Sequence, residues 1–185
     1  GALAEGLRAA GADVIDLGMV VTPMTYYAAK QLGTGCSVMV TGSHNPPDYN
    51  GLKMVVDDGT LAGDDIQALR MRIEQGRLAT GAGAYRTHDI GPTYLDRIAG
   101  DVKLARPMKI AVDCGNGVAG AYAPTLYRTM GCDVVPLFCD VDGRFPNHHP
   151  DPSQPANLAD LIRRLAEGDC EIGLAFDGDG DRLGV

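Results

Sequence analysis

Two distant segments of the chain carry the side chains best suited to chemistry. Residues 41–53 (Thr-Gly-Ser-His-Asn-Pro-Pro-Asp-Tyr-Asn-Gly-Leu-Lys) present the Ser43 hydroxyl beside the His44 imidazole, on a loop that two prolines stiffen. Residues 176–182 (Phe-Asp-Gly-Asp-Gly-Asp-Arg) offer carboxylates at alternate positions, and the intervening glycines let the backbone curl around one cation. A nucleophile loop and a metal loop together indicate phosphoryl chemistry.

The downstream carboxylates belong to three aspartates: Asp177, Asp179 and Asp181. Their oxygens can point inward together only if a cation offsets their mutual repulsion. Because three carboxylates do not complete the octahedron that magnesium prefers, the pattern predicts a further anionic oxygen from substrate or from a modified side chain. A phosphorylated Ser43 would supply it, and Lys53 and Arg182 could help to offset its charge of about −1.5 to −2.

Other interpretations of these two segments are weaker. The acidic turn could simply be solvated, but alternating Asp and Gly after an apolar strand is a specialised pattern. A calcium EF-hand is disfavoured, because Arg182 stands where that loop needs glycine and because the flanks are strand-like. A serine hydrolase would need a G-x-S-x-G elbow, which this loop lacks. Taken alone, Ser43 and His44 would be ordinary loop residues.

Composition narrows the class of protein. With 185 residues, 45% of them hydrophobic, the chain can bury a good core and hold one large or two small domains. A net charge of −8 argues against nucleic acid as the main partner. No apolar run is long enough for a bilayer and no leader pattern is seen, so we expect a cytoplasmic protein. The five cysteines are expected to be buried reduced thiols.

The N-terminal part of the sequence predicts helices and strands that place Ser43 between two strands, at a sheet edge where ligands gather. The predicted elements are a helix ending at Gly11, a strand over 12–17, a helix over 22–30 with Thr22 as N-cap and Pro23 in its first turn, strands over 36–40 and 51–56, and a helix from 64 to Gly76. We place a domain boundary near His88.

The C-terminal part alternates between the two types of element. After a helix over 93–98, strands are predicted over 108–114, 133–138 and 171–176, with helices over 119–130 and 155–166 between them. This alternation predicts a parallel α/β sheet, with the three aspartates outside the carboxyl end of its last strand. Neither end of the sequence has the expected start or stop signals, so we interpret the chain as a fragment of a longer enzyme.

The two loops resemble the signature segments of the alpha-D-phosphohexomutases, and most resemble the bacterial phosphomannomutase/phosphoglucomutase branch. The likeness rests on residues 41–47, 50–53 and 177–182, and residues 147–152 (Asn-His-His-Pro-Asp-Pro) also match that branch. The resemblance covers essentially the whole chain. It implies two consecutive three-layer α/β/α domains with mixed to parallel sheets, as part of a four-domain enzyme. Residues 1–88 would be a phosphoserine domain truncated at its N-terminus, and residues 89–185 a magnesium-binding domain truncated at its C-terminus.

The resemblance also implies an activity: interconversion of mannose or glucose 1-phosphate and 6-phosphate through a bound 1,6-bisphosphate. By position, Ser43 would be the phosphoserine and a magnesium ligand, together with Asp177, Asp179 and Asp181. The residues expected to assist catalysis are His44, Lys53 and Arg182. Those expected to contact phosphate are Asn45, Lys53 and Arg182. The cofactors would be Mg²⁺ and glucose or mannose 1,6-bisphosphate, and the partners small sugar phosphates bound by a monomer.

Three alternatives stay open at this point. Gly115–Gly120 is a G-x-G-x-x-G sequence between a strand and a helix, with Asp140 further on, as in dinucleotide-binding Rossmann domains. The chain could also be a phosphoglucosamine mutase, although the sequence around Tyr49 and Met54 resembles the mannose/glucose branch more. Finally, residues 1–185 alone could bind sugar phosphate without turnover, since the sugar-selecting domains of the family would lie beyond Val185.

Overall fold

The computed structural model describes residues 1–46 and 48–185, so that Pro47, the second predicted loop proline, lies outside the described residues. The N-terminal part folds into two small sheets. Strand β1 (Val14–Asp16) pairs in parallel with β5 (Tyr85–Thr87), whereas β2 (Ser37–Thr41), β3 (Gly51–Val56) and β4 (Gly59–Thr60) form an antiparallel sheet. The helices of this part are α1 (Ala2–Ala9), α2 (Thr22–Gln31) and α3 (Asp64–Glu74).

The C-terminal part forms one four-stranded sheet in the order β7-β6-β8-β9. Its strands are β6 (Lys109–Asp113), β7 (Asp133–Leu137), β8 (Ile172–Phe176) and β9 (Leu183–Gly184). Strand β6 runs parallel to both β7 and β8, and β9 returns antiparallel to β8. The helices are α4 (Gly91–Asp101), α5 (Ala123–Thr129) and α6 (Ala159–Ala166). The predicted parallel sheet is therefore present, with its aspartate loop between β8 and β9.

Alternation along β6 gives this sheet two apolar faces. Ile110 and Val112 join a cluster that also includes Met24 of α2 and Ile90, all fully buried or nearly so. Ala111 points to the other face and packs with Leu161 of α6. Helices therefore cover both faces of the sheet, and the larger cluster joins α2 to it.

The structure corrects several details of the sequence analysis. The strand β5 was missed, because its three residues are all exposed and sit in a small, polar stretch. The two long predicted helices each begin as a 3₁₀ turn, over Val118–Ala121 and Pro155–Leu158, before the α-helix starts. The prediction that Thr22 caps α2 is wrong: the N-cap is Val21, and Thr22 is the first helical residue.

The cysteines are free thiols, as predicted, but burial holds for only some of them. Cys114 and Cys132 are buried, Cys139 and Cys170 are partly buried, and Cys36 is exposed just before β2. The expectation that all five are buried is therefore wrong at Cys36, which precedes the strand and does not enter it. Within the described ranges, 1–46 and 48–185, no helix has both the length and the apolar content that a membrane crossing requires.

Candidate active site

The Ser43 loop is a tight connection between β2 and β3. The Ser43 backbone N–H donates to Thr41 Oγ1 over 2.8 Å, and the Asn45 N–H donates to the Gly42 carbonyl over 2.9 Å. Ser43 adopts a φ of +52°, in the left-handed region that few residues other than glycine visit. A Cβ on Gly42 would lie 2.7 Å from the Tyr49 carbonyl oxygen, so the loop closes on itself only with glycine there.

The aspartate loop follows β8, and hydrogen bonds to its first residue, Asp177, hold the loop in place. Asp177 is fully buried, and its Oδ1 accepts the backbone N–H groups of Asp181 and Arg182, each over 3.0 Å. Asp179 is almost fully buried, whereas Asp181 is exposed. Because β9 turns back along β8, the three carboxylates face one side of a short hairpin.

The two loops meet face to face. Ser43 Oγ lies 3.1 Å from Asp177 Oδ2 and 3.4 Å from Asp179 Oδ1, within hydrogen-bonding distance of both carboxylates. The backbones touch as well, since a Cβ on Gly178 would lie only 2.3 Å from the Ser43 carbonyl oxygen. The sequence-based expectation that these segments share one pocket therefore agrees with the geometry.

Lys53 reaches across from β3 to the aspartate loop. Its Nζ donates to Asp179 Oδ2 over 2.7 Å and to Asp181 Oδ2 over 2.6 Å. Burial of the amine opposes its charge, but these two hydrogen bonds outweigh burial and raise the pKa of Lys53. Lys53 thus contributes positive charge where the loop concentrates negative charge.

The pKa values of the two buried carboxyl groups are shifted in opposite directions. Burial raises the pKa of Asp177, although the backbone and side chain of Arg182 act against it. Burial also opposes the charge of Asp179, yet the hydrogen bonds from Lys53 and Thr22 outweigh it and lower the pKa of that carboxyl. The loop therefore holds Asp179 as a carboxylate through partners from outside the loop.

Arg182 links the aspartate loop to His44. Its Nη2 donates to Asp177 Oδ2 over 3.0 Å and to His44 Nδ1. A guanidinium can only donate, so this contact makes Nδ1 of His44 the acceptor. The same Nδ1 lies 3.3 Å from Ser43 Oγ.

Asn45, a predicted phosphate contact, lies in a cavity wall beside the charged cluster. It is exposed on the serine loop and lines a cavity of about 270 Å³. Ser43, Asp179 and Phe145 line the same cavity. Asn45 therefore shares a cavity with the cluster, while the other predicted residues contact one another directly.

The chemistry of the donor set fits a hard divalent cation. One oxygen from each of Asp177, Asp179 and Asp181 can be chosen so that all three lie within 4.8 Å of one another. Carboxylate oxygens are the ligands that Mg²⁺ prefers, and Ser43 Oγ is placed beside two of them. These four residues could hold the ion.

Sequence reasoning missed one residue that touches this centre. The Thr22 hydroxyl donates to Asp179 Oδ2 over 2.8 Å, from the first turn of α2. A Thr-Pro pair before an apolar helix is a typical helix-start signal in the sequence. The sequence does not show whether the Thr22 hydroxyl caps α2 or bonds to another loop. Its bond to Asp179 depends on the packing of α2 against the aspartate loop.

Comparison with known proteins assigns the family. Residues 1–80 match the family model "Phosphoglucomutase/phosphomannomutase, alpha/beta/alpha domain I", and residues 92–185 match the model of alpha/beta/alpha domain II. The chain belongs to the phosphoglucomutase/phosphomannomutase family. The two predicted α/β/α domains are thus the first two domains of that family.

Close relatives in the family are longer than this chain. It is 57% identical over 183 residues to a phosphomannomutase/phosphoglucomutase of Pseudomonas aeruginosa, and 56% identical over 183 residues to a phosphoglucomutase of Neisseria meningitidis. A crystal structure of a phosphoglucomutase/phosphomannomutase family protein from Burkholderia thailandensis superposes with a TM-score of 0.95 at 55% identity and covers 99% of the chain. The chain spans 40% of the length of both curated relatives and 42% of the crystallised one.

Within this family fold, the G-x-G-x-x-G turn has a packing role. Four consecutive backbone N–H groups of the turn already donate within the protein: Gly115 to Asp113 Oδ1, Asn116 to Phe138 O, Gly117 to Cys114 O and Val118 to Gly178 O. A Cβ on Gly120 would lie 2.0 Å from the Cys139 carbonyl oxygen. Because a pyrophosphate would need such N–H groups free, the dinucleotide-binding alternative is not favoured.

Proposed function

We propose that this chain is the phosphoserine and metal-binding part of a mutase that interconverts hexose 1-phosphates and 6-phosphates. The single observation that carries the proposal is the 3.1 Å approach of Ser43 Oγ to Asp177 of the aspartate loop. We place residues 1–88 in the phosphoserine domain and 89–185 in the magnesium-binding domain of a four-domain enzyme. The mannose/glucose preference rests on relatives that carry both names.

The phosphoryl group would travel between Ser43 and the sugar. The bond between Ser43 Oγ and phosphorus breaks, a sugar hydroxyl oxygen forms the new bond on the opposite side of phosphorus, and Ser43 Oγ takes up a proton as the sugar hydroxyl loses one. His44 is placed to exchange the proton at Ser43 Oγ, because its Nδ1 lies 3.3 Å from that oxygen. The resulting hexose 1,6-bisphosphate turns around and returns its other phosphoryl group to Ser43.

Charge neutralisation is the main task of the remaining residues, because phosphoryl transfer depends on positioning and electrostatics more than on covalent chemistry by the protein. Mg²⁺ held by Asp177, Asp179, Asp181 and Ser43 would supply Lewis-acid stabilisation of the transferring oxygens. Lys53 and Arg182 donate to Asp179 and Asp177 beside Ser43, and from there they would donate to the phosphoryl oxygens. Asn45, in the cavity wall, would contact the phosphate from the exposed side.

The proposal is tested by intact-mass and peptide-mapping measurements on the phosphorylated protein. After incubation with glucose 1,6-bisphosphate and Mg²⁺, we expect one phosphoryl group per chain, located on Ser43 and absent from Ser43→Ala. Ser37, in β2 of the same sheet, serves as the control position and stays unmodified. A full-length protein that interconverts the monophosphates while Ser43 stays unmodified would overturn the serine assignment.

A sugar-phosphate-binding role without turnover is the second candidate for residues 1–185 taken alone. It is supported by the length of the chain, 40% of its curated relatives. We expect phosphorylation at Ser43 with little or no mutase turnover for this chain, and turnover when the remaining domains are present. That the protein is a cytoplasmic monomer that binds small sugar phosphates stays a prediction, and so does the absence of nucleic-acid binding, which the net charge of −8 supports.

A further inference from the structure

Thr22 makes two bonds to one residue of the aspartate loop. Its Oγ1 donates to Asp179 Oδ2 over 2.8 Å, and its backbone N–H donates to the Asp179 carbonyl oxygen over 2.9 Å. Thr22 is fully buried and Asp179 is 2% exposed, so little water competes for these bonds. The contact joins the family's first domain to its second.

The two oxygens of Asp179 have different surroundings. Oδ2 accepts both the Thr22 hydroxyl and the Lys53 ammonium, whereas Oδ1 lies 3.4 Å from Ser43 Oγ. Rotating the carboxylate would break the bonds at Oδ2. The Thr22 hydroxyl therefore helps to decide which oxygen of Asp179 faces the serine.

Thr22 lies in the first turn of α2, beside the aspartate loop. Thr25, one turn further along α2, donates from its Oγ1 to the Thr22 carbonyl oxygen over 2.8 Å. The preceding residue, Val21, packs against the loop, and a Cβ on Gly180 would lie 2.7 Å from Val21 Cγ1. Helix α2 thus presents the hydroxyl from a rigid element and not from a mobile loop.

We propose that Thr22 is a positioning residue for the metal centre: its hydroxyl orients the Asp179 carboxylate so that Oδ1 is available to the divalent ion and to Ser43. This inference rests on the proposed function, since it presumes that Asp179 is a metal ligand. Partners that orient a metal ligand without touching the ion typically contribute 10- to 100-fold to metal affinity.

Two substitutions of Thr22 distinguish the effect of its hydroxyl from the effect of its side-chain shape. Thr22→Val keeps the shape and loses the donor, so that Oδ2 of Asp179 loses one of its two bonds, keeps the one from Lys53 and is held less firmly. Thr22→Ser keeps the donor. Thr25→Val is the matched control, because it removes another buried hydroxyl from α2 whose bond goes to the Thr22 backbone carbonyl.

The test is direct titration of Mn²⁺ into the 185-residue chain, followed by calorimetry and by the electron paramagnetic resonance of the free ion, with folding checked by circular dichroism. We expect Thr22→Val to bind Mn²⁺ about 10-fold or more weakly than wild type. Thr22→Ser should bind almost as wild type does, and so should Thr25→Val, even if it is destabilised. A merely structural role for Thr22 would lower the unfolding temperature and leave the affinity of the folded protein unchanged.

The failures of the two proposals are distinguishable. If wild type binds Mn²⁺, Asp179→Asn abolishes binding and folded Thr22→Val binds as wild type does, the role of Thr22 is overturned and the metal centre stands. If wild type binds no Mn²⁺, or Asp179→Asn binds as well as wild type, the proposed metal centre fails and the role of Thr22 with it. Should Thr22→Val not fold, Thr22→Ser and Thr22→Ala replace the comparison, because both lose the methyl group and they differ by the hydroxyl alone.

Discussion

At the scale of single residues, the backbone of Ser43 is held in a conformation that costs free energy. A residue other than glycine in the left-handed region is disfavoured by about 1–3 kcal/mol, and such residues concentrate at functional sites. Here φ is +52°, and the bond to Thr41 Oγ1 and the contact with Gly178 keep the residue in place. In this left-handed conformation Ser43 Oγ points toward the aspartates, whereas the Oγ of an extended serine between β2 and β3 would not.

A second residue-scale feature is the pair formed by partly buried His148 and by Asp113, which is buried at the end of β6. His148 Nε2 lies 3.1 Å from both oxygens of Asp113, and Nδ1 lies 3.0 Å from the His149 carbonyl oxygen. Since both partners accept hydrogen bonds, they favour the imidazolium form of the ring. The hydrogen bond to Asp113 is the largest effect, it exceeds the opposing effect of burial, and together with the bond to His149 it raises the pKa of His148.

This pair gives the chain a defined pH dependence. A raised pKa in the folded state means that the stabilisation is complete below the unfolded value, about 6.5, and is lost as pH rises through the higher folded pKa. We expect the free energy of unfolding, measured with urea, to fall over that interval in wild type. His148→Gln should be less stable by about 1–3 kcal/mol at low pH and should lack this component of the fall. A wild-type stability with the same pH profile as the variant would contradict this account.

At the scale of elements, the close approach of the two loops depends on Gly178. A Cβ there would meet the Ser43 carbonyl oxygen at 2.3 Å, which is backbone and cannot swing aside. Gly178→Ala should therefore push the loops apart, cost about 1–3 kcal/mol in stability and weaken Mn²⁺ binding. Urea unfolding and Mn²⁺ titration measure the two effects.

The matched control is a glycine without such a neighbour. Gly100 lies in α4, and an added Cβ there meets nothing within 4 Å. Gly100→Ala should leave Mn²⁺ binding unchanged and stabilise the helix by about 0.5–1 kcal/mol. Equal Mn²⁺ affinities for both alanine variants and wild type would show that the approach of the loops is not needed for the ion.

The elements also show where sequence reasoning succeeds and where it stops. The apolar runs of β6 and β8 predicted a parallel sheet, because buried strands leave a strong local signal. The three exposed residues of β5 leave almost none, since that strand is specified by pairing with β1. Likewise, charge indicated that Lys53 would help to offset a phosphate on Ser43, but its bonds to the aspartates and the partner of the Thr22 hydroxyl are set by long-range packing.

At the scale of the whole molecule, the proposed active centre lies between the family's first two domains. Ser43 and Lys53 come from the first domain and the aspartates from the second, and the largest apolar cluster also joins the two through Met24 and Ile110. Residues of these two domains alone bring the Ser43 loop and the aspartate loop together.

The central claim is that one divalent ion is shared by the aspartate loop and Ser43, and a crystal structure of the Mn²⁺-soaked chain tests it most directly. Anomalous scattering should place Mn²⁺ about 2.1 Å from one oxygen of each of Asp177, Asp179 and Asp181, and at the same distance from Ser43 Oγ or from its phosphate. An ion bound elsewhere, or an aspartate loop that stays without an ion at saturating Mn²⁺, would contradict the account.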